Sequence, residues 1–289
     1  MAPSLAGEAR ADLVVQAAEI ATTDIKALAK LTGASAIEAL ERAENQAFRL
    51  VNASHDQRVP EFCAAAGYDY GFVPAEQRLE RVRLVVMDMD STLITIECVD
   101  ELADMLGIKA EVSAITARAM RGELDFRDSL RERVALLAGL DLSALERVYA
   151  ERLSLSPGAQ RMLSGFRRAG AKSLLVSGGF TFFTERLQAR LGLDYAVGNT
   201  LETSDGKLTG RLLGDIIGAS EKAQRLDQLG RVARAQGGIV AAIGDGANDV
   251  PMLTRADVSV AYHAKPVVRS RTTYAIDHCG LDAMLNLFV

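Results

Sequence analysis

The chain has 289 residues, 49% of them hydrophobic, enough for one large and one small domain around packed cores. A formal net charge of -5 and a pI near 5.4 leave no basic stripe for neutralising phosphates, which argues against general nucleic-acid binding. No apolar run approaches the roughly 20 residues that cross a bilayer, so a cytoplasmic protein acting on a small molecule is expected, with no membrane partner.

The first eighty residues form the smaller unit. An apolar strand is predicted over residues 13–15, a helix over 24–31, extended segments over 36–40 and 47–51, a helix over 59–66 and a last strand over 70–73. That order of strand, helix, strand, strand, helix, strand is ferredoxin-like α+β. Glu38, Ala39, Leu40, Arg42 and Ala43 suit a helix equally well, so an all-helical appendage is the competing reading. Pro74 and the charged stretch 76–83 then connect to the second unit, residues 81–289.

From Leu84 onward, apolar strands alternate with helices, the pattern of a Rossmann-like, doubly wound parallel sheet in an α/β fold. Strands are predicted at 84–87, 173–176, 239–243 and 258–261. The interval between the first two is far longer than a usual crossover and rich in Ala, Leu, Glu and Arg. It reads as a helical cap, about residues 97–157, inserted after the first strand. Leu130, Val134 and Leu137 recur there at helical spacing, and Pro157-Gly158 marks the return to the sheet.

Asp88 and Asp90 stand where the run Leu84-Val85-Val86-Met87 ends. Ligands of such sheets bind beyond the carboxyl ends of the strands, so paired acids there point to metal-assisted chemistry. An Asp-x-Asp-x-Thr match alone arises by chance in about one chain in twenty of this length. Three further elements follow in order: Ser177-Gly178-Gly179 after an apolar strand, Lys222 ahead of a helix, and Gly244-Asp245-Gly246-Ala247-Asn248-Asp249 after another strand. Together they compose a phosphate site.

Through these four motifs, residues 84–289 resemble the haloacid dehalogenase superfamily and, within it, the phosphoserine phosphatases. The resemblance implies a Mg²⁺-dependent phosphomonoester hydrolase that converts O-phospho-L-serine to L-serine and phosphate through an aspartyl-phosphate, the last step of serine biosynthesis. It implies that Asp88 is the nucleophile and that Asp90 is first the general acid and then the general base. The implied metal ligands are a carboxylate oxygen of Asp88, the main-chain carbonyl of Asp90, and Asp245. Asp249 is an outer support by resemblance; by itself it reads equally as a helix-capping acid. Ser177, Gly178 and Lys222 would hold the phosphoryl group, and Asn248 would bind phosphate or support its loop. Glu97 matches the position facing the substrate ammonium, Arg133 the one clamping its carboxylate, and Met120 and Phe126 the apolar cap positions that exclude water. Met120 and Phe126 read equally as cap-core packing.

A phosphomonoesterase or phosphotransferase acting on another small alcohol is the near alternative, and a non-catalytic amino-acid sensor the distant one. The N-terminal unit weakly resembles the small amino-acid-binding regulatory modules that precede some of these phosphatases. It is read as a regulatory or docking unit, and a homodimer is one assembly the sequence permits. Cys63, Cys98 and Cys279, odd in number and without metal-site spacing, read as reduced thiols. The dispersed His55, His263 and His278 read as structural.

Overall fold

The computed structural model describes residues 11–289, except for the side chain of Met120. The N-terminal unit runs β1 (Ala11–Ala17), α1 (Thr22–Thr32), β2 (Ala36–Leu40), β3 (Gln46–Ala53), α2 (Arg58–Ala66) and β4 (Asp69–Val73). Its strands make an antiparallel sheet in the order β2-β3-β1-β4. This is the ferredoxin-like arrangement, and the pairing of β2 with β3 removes the all-helical alternative. The ambiguity of β2 in the sequence has a simple origin: it is an edge strand with most of its residues exposed, so no buried face imposes alternation.

Successive strand residues point to opposite faces of a sheet, and β1 uses both. Leu13 and Val15 pack with Ile25, Leu28, Leu50, Val59 and Cys63 under the unit's own helices. Val14, between them, belongs to the larger core that also holds Leu285, Leu287 and Phe288. Polar contacts reinforce this junction. Arg42 and Arg49 donate to the Phe288 carbonyl at 2.8 and 2.7 Å. The buried Asp69 carboxylate accepts from the amides of Asp277, His278 and Cys279 at 2.8, 3.0 and 2.9 Å.

The main unit begins with β5 (Val82–Met87), two residues earlier than the apolar run suggests. The cap follows as α3 (Cys98–Met105), α4 (Lys109–Met120), α5 (Phe126–Ala135) and α6 (Leu142–Arg147). The Asp125 and Asp141 carboxylates cap α5 and α6 by accepting from the amides of Asp128 and Ser143. The chain then runs α7 (Ala159–Arg168), β6 (Lys172–Phe180), α8 (Thr181–Leu191), β7 (Tyr195–Ser204), β8 (Lys207–Leu213) and α9 (Ala219–Ala235). It closes with β9 (Ile239–Gly244), α10 (Val250–Leu253), β10 (Val258–Tyr262), α11 (Pro266–Arg269) and β11 (Tyr274–Ile276).

The sheet order is β11-β10-β9-β5-β6-β7-β8, parallel except for β8. Val85, Met87 and Leu175 face the core containing Met162, Phe166 and Phe183, whereas Leu84, Val86 and Leu174 face the one containing Leu226, Val240 and Met252. The central strands are thus covered on both sides, which explains their unbroken apolar sequence. The hairpin of β7 and β8 braces the cap: Gly139 donates to the Leu208 carbonyl and Leu208 to that of Leu140, both at 2.8 Å. All three cysteines are free and buried, and among the described residues no helix is long and apolar enough to cross a membrane.

Candidate active site

From β5 the chain proceeds through β6 and β7 on one side of the sheet; β9, β10 and β11 lie on the other. Strand order therefore reverses between β5 and β9, and the crevice at their carboxyl ends is the natural ligand site of such a sheet. Asp88 directly follows β5, and Asp245 directly follows β9.

The floor of that crevice is ionic. Lys222 is only 1% exposed and reaches two carboxylates, Asp88 Oδ1 at 2.7 Å and Asp249 Oδ1 at 2.8 Å. It stands in the first turn of α9 rather than ahead of the helix as the sequence suggests. Asp249 is fully buried and serves twice, because its other oxygen accepts from the Gly246 amide at 3.1 Å. The capping role that the sequence left open is therefore present, beside an ion pair with Lys222. The close approach requires glycine nearby, since a Cβ at Gly244 would fall 2.6 Å from Asp249 Oδ2.

Asp88, Asp245 and Asp249 present carboxylate oxygens within 4.8 Å of one another. Burial, and then the charge of Asp249, push the Asp88 carboxyl well up against the opposing pull of Lys222. The same two causes raise Asp245 to about 6, although it accepts a 2.8 Å hydrogen bond from Thr92 Oγ1. Burial works against the Lys222 charge, but Asp249 and Asp88 overcome it and raise its pKa. One ammonium cannot balance three crowded carboxylates, and an all-oxygen donor set of this kind fits a hard divalent cation.

Asp90 sits in a tight turn whose next residue, Ser91, has a φ of 53°. Its carboxylate is aimed by the Cys98 amide at 3.0 Å and by Ser177 Oγ at 3.4 Å, and burial raises its pKa. Ser177 Oγ also accepts from the Gly179 amide at 2.8 Å.

A cavity of about 500 Å³ opens over this floor. Asp88, Asp90, Glu97, Phe126, Arg133, Ser177, Gly178, Asp245 and Asn248 line it together, drawn from the strand ends and from the cap. Lys222 lies in the floor behind Asp88, and the side chain of Met120 lies outside the described atoms. Phe126 rests so closely on Gly178 that a Cβ there would lie 2.8 Å from the ring. Glu97 Oε1 accepts from Ser91 Oγ at 2.6 Å; burial first, and the Asp90 charge next, raise it to about 7. Arg133 is half-buried, and among the described residues it forms no ion pair; its Nε reaches only the Ser129 carbonyl at 3.4 Å. Burial lowers its pKa against the attraction of Asp100 and Glu97.

Four contributors have no role in the sequence reading. Thr92 and Ser91 follow the paired acids directly and fix Asp245 and Glu97. Glu221 ties the first turn of α9 to the Gly218 amide at 2.9 Å and pairs with Arg127 of the cap. Asn199, on β7, bonds to the Gly178 carbonyl. Thr92 already stands in the Asp-x-Asp-x-Thr motif, whereas Ser91, Glu221 and Asn199 are ordinary surface residue types that only proximity in the fold distinguishes.

Residues 85–254 match the family described as haloacid dehalogenase-like hydrolase, and residues 13–61 match one described only as a domain of unknown function. The chain is 52% identical over 219 residues to a phosphoserine phosphatase of Polaromonas sp., covering 73% of this chain and 91% of that relative. It resembles the crystal structure of a haloacid dehalogenase-family hydrolase from Salmonella enterica serovar Typhi, with a TM-score of 0.83, 32% identity, and coverage of 96% of this chain and 98% of that one. The unliganded structure of a probable phosphoserine phosphatase from Vibrio cholerae aligns with a TM-score of 0.81 and 34% identity over 97% of this chain and 87% of that chain. With acids at the switch point, a buried lysine beneath them and a helical cap above, the chain belongs to the haloacid dehalogenase-like hydrolase family.

Proposed function

We propose that the protein is a Mg²⁺-dependent phosphoserine phosphatase, converting O-phospho-L-serine to L-serine and phosphate at the end of serine biosynthesis in the cytoplasm. The observation that carries this reading is a single cavity that lies over an acid-and-lysine floor and is also lined by a half-buried arginine with no ion-pair partner among the described residues. The floor suits a phosphoryl group. The arginine suits a carboxylate, which a guanidinium binds through two parallel hydrogen bonds.

Asp88, the main-chain carbonyl of Asp90 and Asp245 would hold the magnesium ion, whose charge when bound lets an anionic phosphoryl group approach an anionic nucleophile. Asp88 attacks phosphorus; as the ester P–O bond breaks, Asp90 gives its proton to the departing serine oxygen. Asp90 then takes a proton from the water that cleaves the aspartyl-phosphate, so one carboxyl serves as acid and then base. Lys222, Ser177 and the Gly178 amide offset charge on the phosphoryl oxygens. Asn248 stands at the same rim. Glu97 faces the substrate ammonium, and Phe126 helps exclude water under the cap.

Hydrolysis of L-phosphoserine is expected to cease on chelation of divalent cations and to return with Mg²⁺. Phosphate release unaffected by chelator would remove the metal from the reading.

Arg133→Ala is expected to lower kcat/KM for phosphoserine by about 10²-fold, while an aryl phosphate, which lacks the amino-acid carboxylate, loses less than threefold. Equal losses on both substrates would remove the clamp.

Residues 1–80 are proposed as a docking or regulatory unit, and 81–289 as the phosphatase unit with its cap at about 97–157. A fragment of residues 81–289 is expected to keep its turnover per folded molecule. It should melt several degrees lower, at about 2–4 °C per kcal/mol, because Phe288 loses Arg42 and Arg49 and the face against Val14 is uncovered. A folded fragment without activity would place residues 1–80 in the catalytic machinery instead.

A further inference from the structure

We propose that Asn199 is a positioning residue for phosphoryl transfer, acting through the Gly178–Gly179 peptide on the Ser177 hydroxyl; this rests on the phosphatase reading above. Asn199 is 2% exposed and lies on β7, outside the four motifs. Its Nδ2 donates to the Gly178 carbonyl at 2.8 Å and to the Ile217 carbonyl at 3.3 Å, and its Oδ1 accepts from the Ile217 amide at 2.8 Å. One amide thus joins the carboxyl-terminal end of β6 to the segment that leads into α9 and Lys222.

The consequence reaches Ser177 through a single peptide plane. The carbonyl of the Gly178–Gly179 peptide is held by Asn199, and its N–H donates to Ser177 Oγ at 2.8 Å. With an acceptor site of Oγ filled, the hydroxyl proton is directed outward. It meets Asp90 Oδ2 at a long 3.4 Å, so it is available to a phosphoryl oxygen arriving between the two. If Asn199 is removed, the peptide is free to rotate, because neither of its residues has a side chain to restrain it. Phe126 of the cap also packs on Gly178 and Gly218, the glycines on either side of this bridge.

A double-mutant cycle tests the coupling. Asn199→Ala is expected to lower kcat by about 10²-fold, equally for phosphoserine and an aryl phosphate, with little change in KM. In a Ser177→Ala background the same change should cost less than threefold. Losses that multiply across the two backgrounds, or a kcat within twofold of the unaltered protein, overturn the proposal. Asn199→Ser, smaller but still hydrogen-bonding, gives the same comparison if the alanine variant does not fold. Loss of fold in both also counts against the proposal, since it would make Asn199 a core residue first. An unaltered protein that cleaves the aryl phosphate but not phosphoserine would sink the substrate assignment alone, leaving the cycle measurable on the aryl ester.

Discussion

Asp88→Asn is expected to lower phosphoserine turnover by about 10⁴-fold or more, the scale on which enzymes fail when a covalent nucleophile is removed. The substitution nearly preserves shape, and the Met89 amide that donates to Asp88 Oδ1 at 2.7 Å still finds an oxygen there. Lys222 keeps Asp249 as a partner. The fold should therefore survive, and in the absence of divalent cation the variant should melt no lower than the unaltered protein, because one of three crowded carboxylates has lost its charge. Acid-quenched unaltered enzyme should carry phosphate on Asp88, and the variant none. An undiminished rate in Asp88→Asn would sink the covalent mechanism.

Lys222→Ala should damage stability as well as activity. Burying a charge without its partner is far more costly than never burying the pair, and this lysine separates two buried acids at 2.7 and 2.8 Å. Its loss leaves Asp88 and Asp249 facing each other, and the expected destabilisation is about 3–5 kcal/mol in urea unfolding without metal. Saturating Mg²⁺ should restore part of it, since a divalent cation supplies some of the missing charge. Turnover should fall by about 10²–10³-fold, the usual cost of deleting a group that stabilises developing negative charge. Unchanged unfolding free energy in the metal-free variant would show that water already neutralises this cluster.

The parts of the molecule legible in the sequence are those where local pattern and burial agree. β5, β6, β9 and β10 are covered on both faces, so their apolar runs announce them, and Leu130, Val134 and Leu137 mark the buried side of the cap. β7 and β8 were harder to see. β7 is only partly buried and has Gly198 in its middle, β8 is an edge strand, and β11 spans three residues, too short for either periodicity. The acids of the site were legible because they sit where strands end. Asn199 gave no such signal, since its importance arises from which carbonyls the fold brings to it. Lys222 was placed by resemblance rather than by its surroundings: Glu221-Lys222 reads as surface, yet the lysine is almost wholly enclosed.

The two-faced use of β1 constrains how the protein is made. One side closes early, on residues 25–63, but the side bearing Val14 waits for the segment around Phe288. Gln16 accepts a hydrogen bond from Asn286, 270 residues downstream. During synthesis this apolar surface stays open until almost all of the phosphatase unit has been translated, so β1, made well before that unit, is among the last strands to be sealed.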